Sequence, residues 1–229
     1  MRKPIICAVI TNSDLKAVEK TNPFVDLFEV RIDLVGEGWQ KLVKQLEKPW
    51  IGCNRMADDG GKWQGDEASR VEKLLEAAEL GADTIDIELK TENLNYAVEL
   101  IKGKAECLLS FHDWEKTPPL REMREIVHKQ LAAGADACKI VTTAHSLEDN
   151  RKTLQLISEF PEVKMISFAM GQLGILSRVL CPLVGGDFTY ASVEIGKESA
   201  PGQITVKELR KIYDILEPFG ENRSMWNNR

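Results

Sequence analysis

The sequence predicts a single-domain (β/α)8 barrel, the TIM barrel of the α/β class, over residues 1–229. Short apolar runs alternate along the chain with longer segments of helical period, and these strand-helix units recur roughly every 25 to 30 residues. The length of 229 residues is close to the roughly 250 that such barrels usually have. No linker, low-complexity segment or shift in composition marks a second domain. An open, doubly wound sheet is the alternative arrangement of the same units.

The predicted strands are runs rich in apolar and β-branched residues that are bounded by turn residues. They span residues 4–10, 27–33, 49–55, 84–89, 105–112, 137–143, 164–170 and 188–192. The second strand favours the barrel, because Glu29, Arg31 and Asp33 alternate with apolar residues and should therefore point to one face. A polar row of this kind suits the interior of a barrel.

Amphipathic helices are predicted between the strands, where apolar residues recur in steps of three and four. The clearest sets are Val71, Leu74, Leu75 and Ala78; Met123, Ile126, Val127 and Leu131; and Val206, Leu209, Ile212, Tyr213 and Leu216. The polar segments 12–14 and 146–149 are typical of helix N-termini, and Gly81 and Gly134 are typical of helix C-termini.

The charge balance points to a small-molecule partner. Lys and Arg number 30 against 36 Asp and Glu, which gives a formal net charge of −6 without long blocks of like charge. Neither nucleic acid nor an anionic membrane surface is therefore an expected partner. The longest apolar run, residues 5–10, is far shorter than the roughly 18 to 20 residues that a membrane span needs. We expect a cytoplasmic protein.

The cysteines and histidines do not form the usual patterns of disulfides or metal sites. The five cysteines are an odd number and contain no C-x-x-C pair, so we expect reduced core residues. They are Cys7, Cys53, Cys107, Cys138 and Cys181. The three histidines, His112, His128 and His145, lack the short spacing of metal ligands, and no metal is expected.

Lys139 is the most unusual polar residue, because it lies inside the apolar strand 137–143. A buried ammonium either loses its proton, and then becomes a nucleophile toward carbonyls, or pairs with a carboxylate or reaches solvent. Position alone leaves these alternatives open. His112 closes the preceding strand, and neighbouring strands would bring an imidazole, which titrates near neutral pH, close to the amine.

Two arginines lie where the loops at the carboxyl ends of the strands would form a site. Arg178 begins a helix after the seventh strand, where it could bind a carboxylate, or it could form an ordinary surface salt bridge. Arg55 ends the third strand, before a Gly-containing turn.

Together these residues resemble the type I 3-dehydroquinate dehydratases over nearly the whole chain. The matching segments follow the order of that family: Glu29-Val30-Arg31-Ile32-Asp33, Asp86-Ile87-Glu88-Leu89, Ser110-Phe111-His112-Asp113-Trp114 with Lys116-Thr117-Pro118, Lys139-Ile140, Met170-Gly171 through Ser177-Arg178, and Ser199-Ala200-Pro201-Gly202-Gln203. Each motif alone is weak, whereas the ordered set is specific.

The resemblance implies a hydro-lyase that converts 3-dehydroquinate to 3-dehydroshikimate and water in the shikimate pathway, through an imine between a lysine and the substrate ketone. It implies Lys139 as the Schiff-base lysine and His112 as the general acid and base, with no cofactor and no metal. The substrate-binding residues that it implies are Glu29, Arg31, Arg55, Arg178, Ser199 and Gln203. It also implies a homodimer.

The sequence departs from that family at the acidic residue that pairs with the histidine. Where bacterial members carry a glutamate, this chain has Asp59, one methylene shorter, so that the partner of His112 is either Asp59 or Glu88 in the fourth strand. Tyr190 also stands where a phenylalanine is usual.

Two other functions remain to be weighed. Another imine-forming barrel, such as an aldolase acting on a sugar phosphate, would place a Gly-rich phosphate cradle after the seventh and eighth strands, whereas Gly185-Gly186 precede the eighth. A non-catalytic, ligand-binding barrel would give Lys139 and His112 a structural role alone.

Overall fold

Eight parallel strands form the wall of the barrel in the computed structural model, which describes residues 3–216. They are β1 Ile6–Ile10, β2 Leu27–Arg31, β3 Trp50–Cys53, β4 Thr84–Glu88, β5 Glu106–His112, β6 Ala137–Thr143, β7 Lys164–Met170 and β8 Thr189–Ser192. The hydrogen-bonded order runs from β7 down to β1 and ends at β8, so that β1 pairs with both β2 and β8. The Asp187 N–H, just before β8, donates to the Met165 carbonyl of β7 at 2.8 Å and brings the two edges together. The predicted barrel is confirmed.

Helices lie between the strands, as the apolar periodicity predicts. They are α1 Leu15–Thr21, α2 Ile32–Val35, α3 Trp39–Val43, α4 Glu67–Glu79, α5 Leu94–Lys102, α6 Leu120–Ala132, α7 Leu147–Glu159, α8 Ile175–Leu180 and α9 Val206–Leu216. The polar stretch 221–229, for which the sequence suggested no role, lies outside the described residues.

The helix ends have the predicted chemistry. The Asp14 carboxylate accepts hydrogen bonds from two backbone N–H groups in the first turn of α1, and Ser146 and Asp149 form a capping box at α7. Gly81 and Gly134, with φ of 95° and 93°, follow α4 and α6 in a conformation that favours glycine.

The second strand ends two residues earlier than predicted, and Asp33 lies in α2 instead of continuing the inward-facing row. The cause is local hydrogen bonding. The Asp33 carboxylate accepts two hydrogen bonds from the Arg31 guanidinium, and it also accepts the backbone N–H groups of Arg55 and Lys62. Asp33 thus joins the end of β2 to the turn after β3, and Arg55 lies beyond the end of its strand.

Apolar side chains fill the barrel and the layer between the strands and the helices, and all five cysteines are buried and free, as expected. Helix α4 packs closely on the barrel at Gly52, where an added Cβ would lie 2.8 Å from the Ala77 Cβ and 3.0 Å from the Ile85 Cδ1. Among residues 3–216 no helix has both the length and the apolarity to cross a bilayer.

Gly52→Val should lower the free energy of unfolding by about 1–3 kcal/mol, because the added side chain forces α4 away from β3. Gly103→Ala is the matched control, since the nearest atom to its new Cβ is the Leu100 carbonyl oxygen at 3.5 Å. Urea denaturation followed by circular dichroism measures both. Equal midpoints for Gly52→Val and the wild type would contradict this view of the packing.

Candidate active site

A cavity opens at the carboxyl ends of the strands. Nearly all of the side chains that the sequence singled out line it: Glu29, Arg31, Arg55, Asp59, His112, Lys139, Arg178, Ser199 and Gln203, together with Tyr190. Glu88 is the exception, because it is buried behind the cavity wall. The barrel therefore brings together residues that are up to 174 positions apart, from Glu29 to Gln203.

Lys139 projects from β6 into this cavity and is paired with carboxylates. Its Nζ lies 2.9 Å from the Asp86 Oδ2 and 3.5 Å from the Glu29 Oε2, and it also lies 4.2 Å from the centroid of the Tyr190 ring. Burial alone lowers the pKa of the amine, but the charges of Asp86 and Glu29 outweigh it and raise that pKa above its ordinary value. Of the two alternatives left open by the sequence, the structure shows the carboxylate-paired ammonium.

Asp86 is the residue that the sequence analysis missed among the candidate site residues. It is buried, and it accepts hydrogen bonds from the Lys139 amine, from the Arg55 guanidinium at 2.7 Å and from the Ser110 hydroxyl at 2.6 Å. Burial raises the pKa of this carboxyl, but Arg55 and Lys139 lower it far more. Its signal in the sequence is the alternation of acidic and apolar residues in β4.

Glu29, Cys53 and Asp86 place potential metal ligands within 4.8 Å of one another. The Lys139 ammonium already contacts both carboxylates of this group. The lysine therefore supplies the positive charge that a metal ion would bring, which disfavours a metal site here.

His112 is partnered by Asp59, because its Nδ1 lies 3.0 Å from the Asp59 Oδ2. The shorter aspartate therefore reaches the imidazole. Glu88 is not the partner, since its carboxylate pairs with Arg70 of α4 at 2.5 Å and with Arg55 at 3.2 Å.

The imidazole is held neutral at neutral pH. Burial and the nearby Arg55 lower the pKa of His112 to about 4, although the hydrogen bond with Asp59 opposes this shift. Burial tends to raise the pKa of Asp59, but His112, Arg55 and Lys90 bring it well below its usual range. An ionised Asp59 accepts the Nδ1–H, which leaves Nε2 as an unprotonated acceptor.

Arg55 organises the carboxylates around the cavity. Its guanidinium donates to Asp86 and to the Ser110 hydroxyl, both at 2.7 Å, and lies 3.2 Å from Glu88 and 3.6 Å from Asp59. The carboxylates of Asp86, Glu88 and Asp59 stabilise the cationic form of Arg55 and raise its pKa despite burial.

Arg178 differs from the other buried cations because its guanidinium has no anionic partner among residues 3–216. The side chain lies over the Phe168 ring at 4.3 Å, and its Nη1 donates weakly to the Tyr190 carbonyl at 3.5 Å. Its Nε and Nη2 have no hydrogen-bond partner within the described part of the chain. Burial lowers the pKa of this group to about 10. Since Arg178 is only 1% exposed, the surface salt bridge considered for it is wrong. Such a group is suited to bind an anion that enters the cavity.

Ser199 and Gln203 reach the cavity from the loop after β8. The Gln203 Oε1 accepts hydrogen bonds from the Ser199 N–H at 2.7 Å and from its hydroxyl at 3.2 Å. Gly202, with φ of 72°, lies so close to the β7 loop that a Cβ would be 2.3 Å from the Gly171 carbonyl oxygen. This contact places the loop at the rim of the cavity.

The fold and the cavity define an α/β barrel in which an amine, a neutral imidazole and an unpaired guanidinium face one space. The family model of the type I 3-dehydroquinases matches residues 6–219. A 3-dehydroquinate dehydratase of Dehalococcoides mccartyi is 40% identical over 213 residues, which cover 93% of this chain and 96% of that relative. One from Methanocaldococcus jannaschii is 35% identical over 207 residues, covering 89% and 93%.

The solved structure of 3-dehydroquinate dehydratase from Geobacillus kaustophilus is similar as well. It has a TM-score of 0.85 at 25% identity and covers 95% of this chain and 93% of that one. The chain belongs to the type I 3-dehydroquinase family.

Arg178→Met should raise the free energy of unfolding by about 1–3 kcal/mol while abolishing ligand binding, because it replaces an unpaired buried charge by an apolar chain of similar length. Arg70→Met is the matched comparison. Arg70 is equally buried but pairs with Glu67 at 2.7 Å and with Glu88 at 2.5 Å, so that its loss should destabilise by about 3–5 kcal/mol. Chemical denaturation measures both, and destabilisation by Arg178→Met would show that the guanidinium is already compensated.

Proposed function

We propose that this protein is a 3-dehydroquinate dehydratase, a hydro-lyase that forms 3-dehydroshikimate and water in the shikimate pathway of chorismate and aromatic amino-acid biosynthesis. The observation that carries the proposal is the Arg178 guanidinium, which lies in the same cavity as Lys139 and His112 and has no anionic partner among the residues that the structure describes. The substrate of such an enzyme bears a carboxylate, which would neutralise Arg178, and a ketone, which the lysine would attack. The family membership and the curated relatives support this assignment.

The other residues of the cavity would make the remaining contacts with the substrate. Glu29 and Arg31 would bind ring hydroxyls, and Ser199 and Gln203 would close over the ring from the loop after β8. Arg55 borders the same space, and we assign to it mainly the positioning of Asp86 and Asp59, which already occupy its guanidinium.

The chemistry begins at Lys139. The neutral His112 imidazole takes the proton of the Lys139 ammonium, and the free amine attacks the C3 ketone. The imidazolium returns the proton to the carbinolamine hydroxyl, which leaves as water and yields a protonated imine. This iminium carries one positive charge near the position of the former ammonium, between Asp86 and Glu29. The carboxylates that raise the pKa of the free amine therefore also stabilise the cationic imine.

The iminium withdraws electrons and acidifies the neighbouring C2–H. The Nε2 of His112 removes this proton, and the electron pair of the resulting enamine expels the C1 hydroxyl, to which the imidazolium returns the proton. Hydrolysis of the product imine restores the Lys139 amine. The net change is the loss of one water from the substrate, and the scheme needs no cofactor or metal.

The alternatives fit the structure less well. After β7, the N–H groups of Gly171 and Gly174 donate to the Pro201 and Gly171 carbonyls, so that they are not free to cradle a phosphate. Gly185 and Gly186 precede β8, as the sequence indicated. A non-catalytic, ligand-binding barrel would account for Arg178, but the curated relatives, which are 3-dehydroquinate dehydratases, favour the enzyme.

The direct test of the reaction is trapping of the imine. Incubation with 3-dehydroquinate and borohydride should add the reduced substrate to the peptide that contains Lys139, as located by mass spectrometry. Lys139→Arg is the matched control, because it keeps a cation between Asp86 and Glu29 but cannot form this imine. Absence of both the adduct and the product enone in the wild-type protein would refute the proposed activity.

The pH dependence should follow His112. With a pKa of about 4, the imidazole is an unprotonated base at neutral pH, so that kcat/KM should stay level down to about pH 5 and fall at more acidic pH. Because the ordinary pKa of about 6.5 applies to the unfolded chain, stability should also decline as the pH falls from about 6.5 toward 4. Stopped-flow assays over pH 4–8 measure the rate, and an acid limb near pH 6.5 would contradict the assignment.

A cytoplasmic homodimer is also part of the proposal. Free buried cysteines suit a reducing compartment. Leu147, Leu173 and Leu176 are 66%, 46% and 49% exposed, and the Asn150 amide draws the first two together by donating to both of their carbonyls. We assign this apolar patch, formed by α7, α8 and the turn before α8, to the dimer contact.

Leu147→Glu combined with Leu176→Glu should convert the dimer to a monomer, because charges in the contact would be desolvated on association. Light scattering coupled to size-exclusion chromatography measures the mass. Ile215→Glu, at a residue of α9 that is 67% exposed, is the control that should remain dimeric. A monomeric wild-type protein would refute the dimer.

A further inference from the structure

We propose that Lys90, which lies outside the cavity, is a positioning residue that holds Asp59 against His112. The role in turnover rests on the proposed function, whereas the effect on the imidazole can be measured without substrate. Lys90 follows β4, and its side chain is 47% exposed and contributes nothing to the cavity lining.

The contacts of Lys90 are made to the turn after β3. Its Nζ lies 3.3 Å from the Asp59 Oδ1 and 3.3 Å from the Asp58 Oδ2, and it also approaches the Asp58 carbonyl at 3.5 Å. The other oxygen of Asp59, Oδ2, is the one that contacts the His112 Nδ1. One carboxylate thus joins the exposed lysine to the buried histidine, with one oxygen for each.

This turn needs to be held because Asp59 has a short side chain, and its backbone must therefore lie close to the imidazole. On one side Gly60 packs on the Trp114 indole, where a Cβ would be only 2.0 Å from the Cζ2 atom. On the other side, the Lys90 ammonium contacts the Oδ1 of Asp59 and the carboxylate of Asp58, and so binds both acidic residues of the turn. Without Lys90, the carboxylate could rotate about its side-chain bonds and lose its alignment with Nδ1.

Lys90 also influences the pKa of His112 through Asp59. The imidazole faces Asp59 and Arg55 after β3, Asp86 on β4 and Lys139 on β6, and Asp59 and Arg55 lie within 3.6 Å of each other. The hydrogen bond with Asp59 raises the pKa of His112, so that a carboxylate released from Nδ1 would stabilise the protonated imidazole less. The titration of His112 should therefore move to lower pH when Lys90 is removed.

The test is an NMR pH titration of the three histidine side chains in the free protein, with His112 assigned by comparison with His112→Gln. Lys90→Met should lower the pH midpoint of His112 by about half a unit to one unit, and Lys90→Arg should restore it. Lys102→Met is the matched control. Lys102 is 42% exposed and pairs with Asp136 at 2.7 Å on another part of the surface, so that its loss should leave His112 unchanged.

Turnover provides the second measurement. Lys90→Met should lower kcat by about threefold to tenfold with a smaller change in KM, because Lys90 does not touch the cavity. In an Asp59→Asn background, Lys90→Met should have little further effect on kcat or on the His112 midpoint, since Lys90 acts through Asp59.

The outcomes separate this proposal from the proposed function. An unshifted or raised His112 midpoint in Lys90→Met overturns the role of Lys90, even if borohydride traps the imine on Lys139. Full additivity with Asp59→Asn overturns it as well. A lowered midpoint in a protein that shows neither adduct nor product would instead support the contact of Lys90 with Asp59 and refute the dehydratase assignment.

Discussion

The buried charge pairing around Asp86 is the interaction on which the site depends. A barrel interior is a costly place for ionised groups, and each must be compensated by a partner at close distance. Asp86 contacts both Lys139 and Arg55, and Arg55 extends the network to Glu88 and Asp59. The positions of the amine and of the carboxylate beside His112 are thus set by one connected group of charges, and the strands that carry these residues fix its geometry.

This network also explains why Lys139 and His112 have opposite charge states. Both are buried, so that desolvation disfavours the cation in each. Lys139 lies against two carboxylates, which restore its positive charge, whereas His112 has one carboxylate and the nearby cation Arg55. The same cavity therefore holds a cationic amine and a neutral base, and in the proposed chemistry the base takes the proton that the amine must lose before it attacks the ketone.

Arg178 is the exception within the same cavity, and the exception is informative. Its guanidinium packs on an aromatic ring and has free donors, although the other buried guanidinium groups of the site pair with carboxylates. A protein that leaves one buried charge without a partner loses stability there, and an anionic ligand can supply the missing compensation. In the proposed reaction, Arg178 would select a substrate that bears a carboxylate, whereas Lys139, His112 and the charges paired with them would carry out the chemistry.

The sequence by itself determined the barrel and the two residues proposed for catalysis. Strand periodicity places Lys139 and His112 on the inward face, and parallel strands bring their side chains to one end of the barrel. The barrel follows from the alternation of side chains along a strand and from the order of the strands, whereas the roles of the two residues followed from the resemblance of the motifs to a known family. The helix caps at Asp14 and Ser146 were also predictable from the sequence, because capping depends on residues two or three positions apart.

Only the tertiary structure decided which charges are partners. Glu88 pairs with Arg70 of α4 and not with His112, and Asp59 contacts the imidazole despite its short side chain. Asp33 lies in α2, where its carboxylate joins the end of β2 to the turn after β3. These pairings join groups that are 18, 53 and 22 positions apart. These pairings depend on the path of each loop and on differences of a few tenths of an ångström between side-chain positions. The pattern of polar and apolar residues along a chain does not encode either. The sequence specifies which face a side chain occupies, whereas the packed barrel determines which atom it meets.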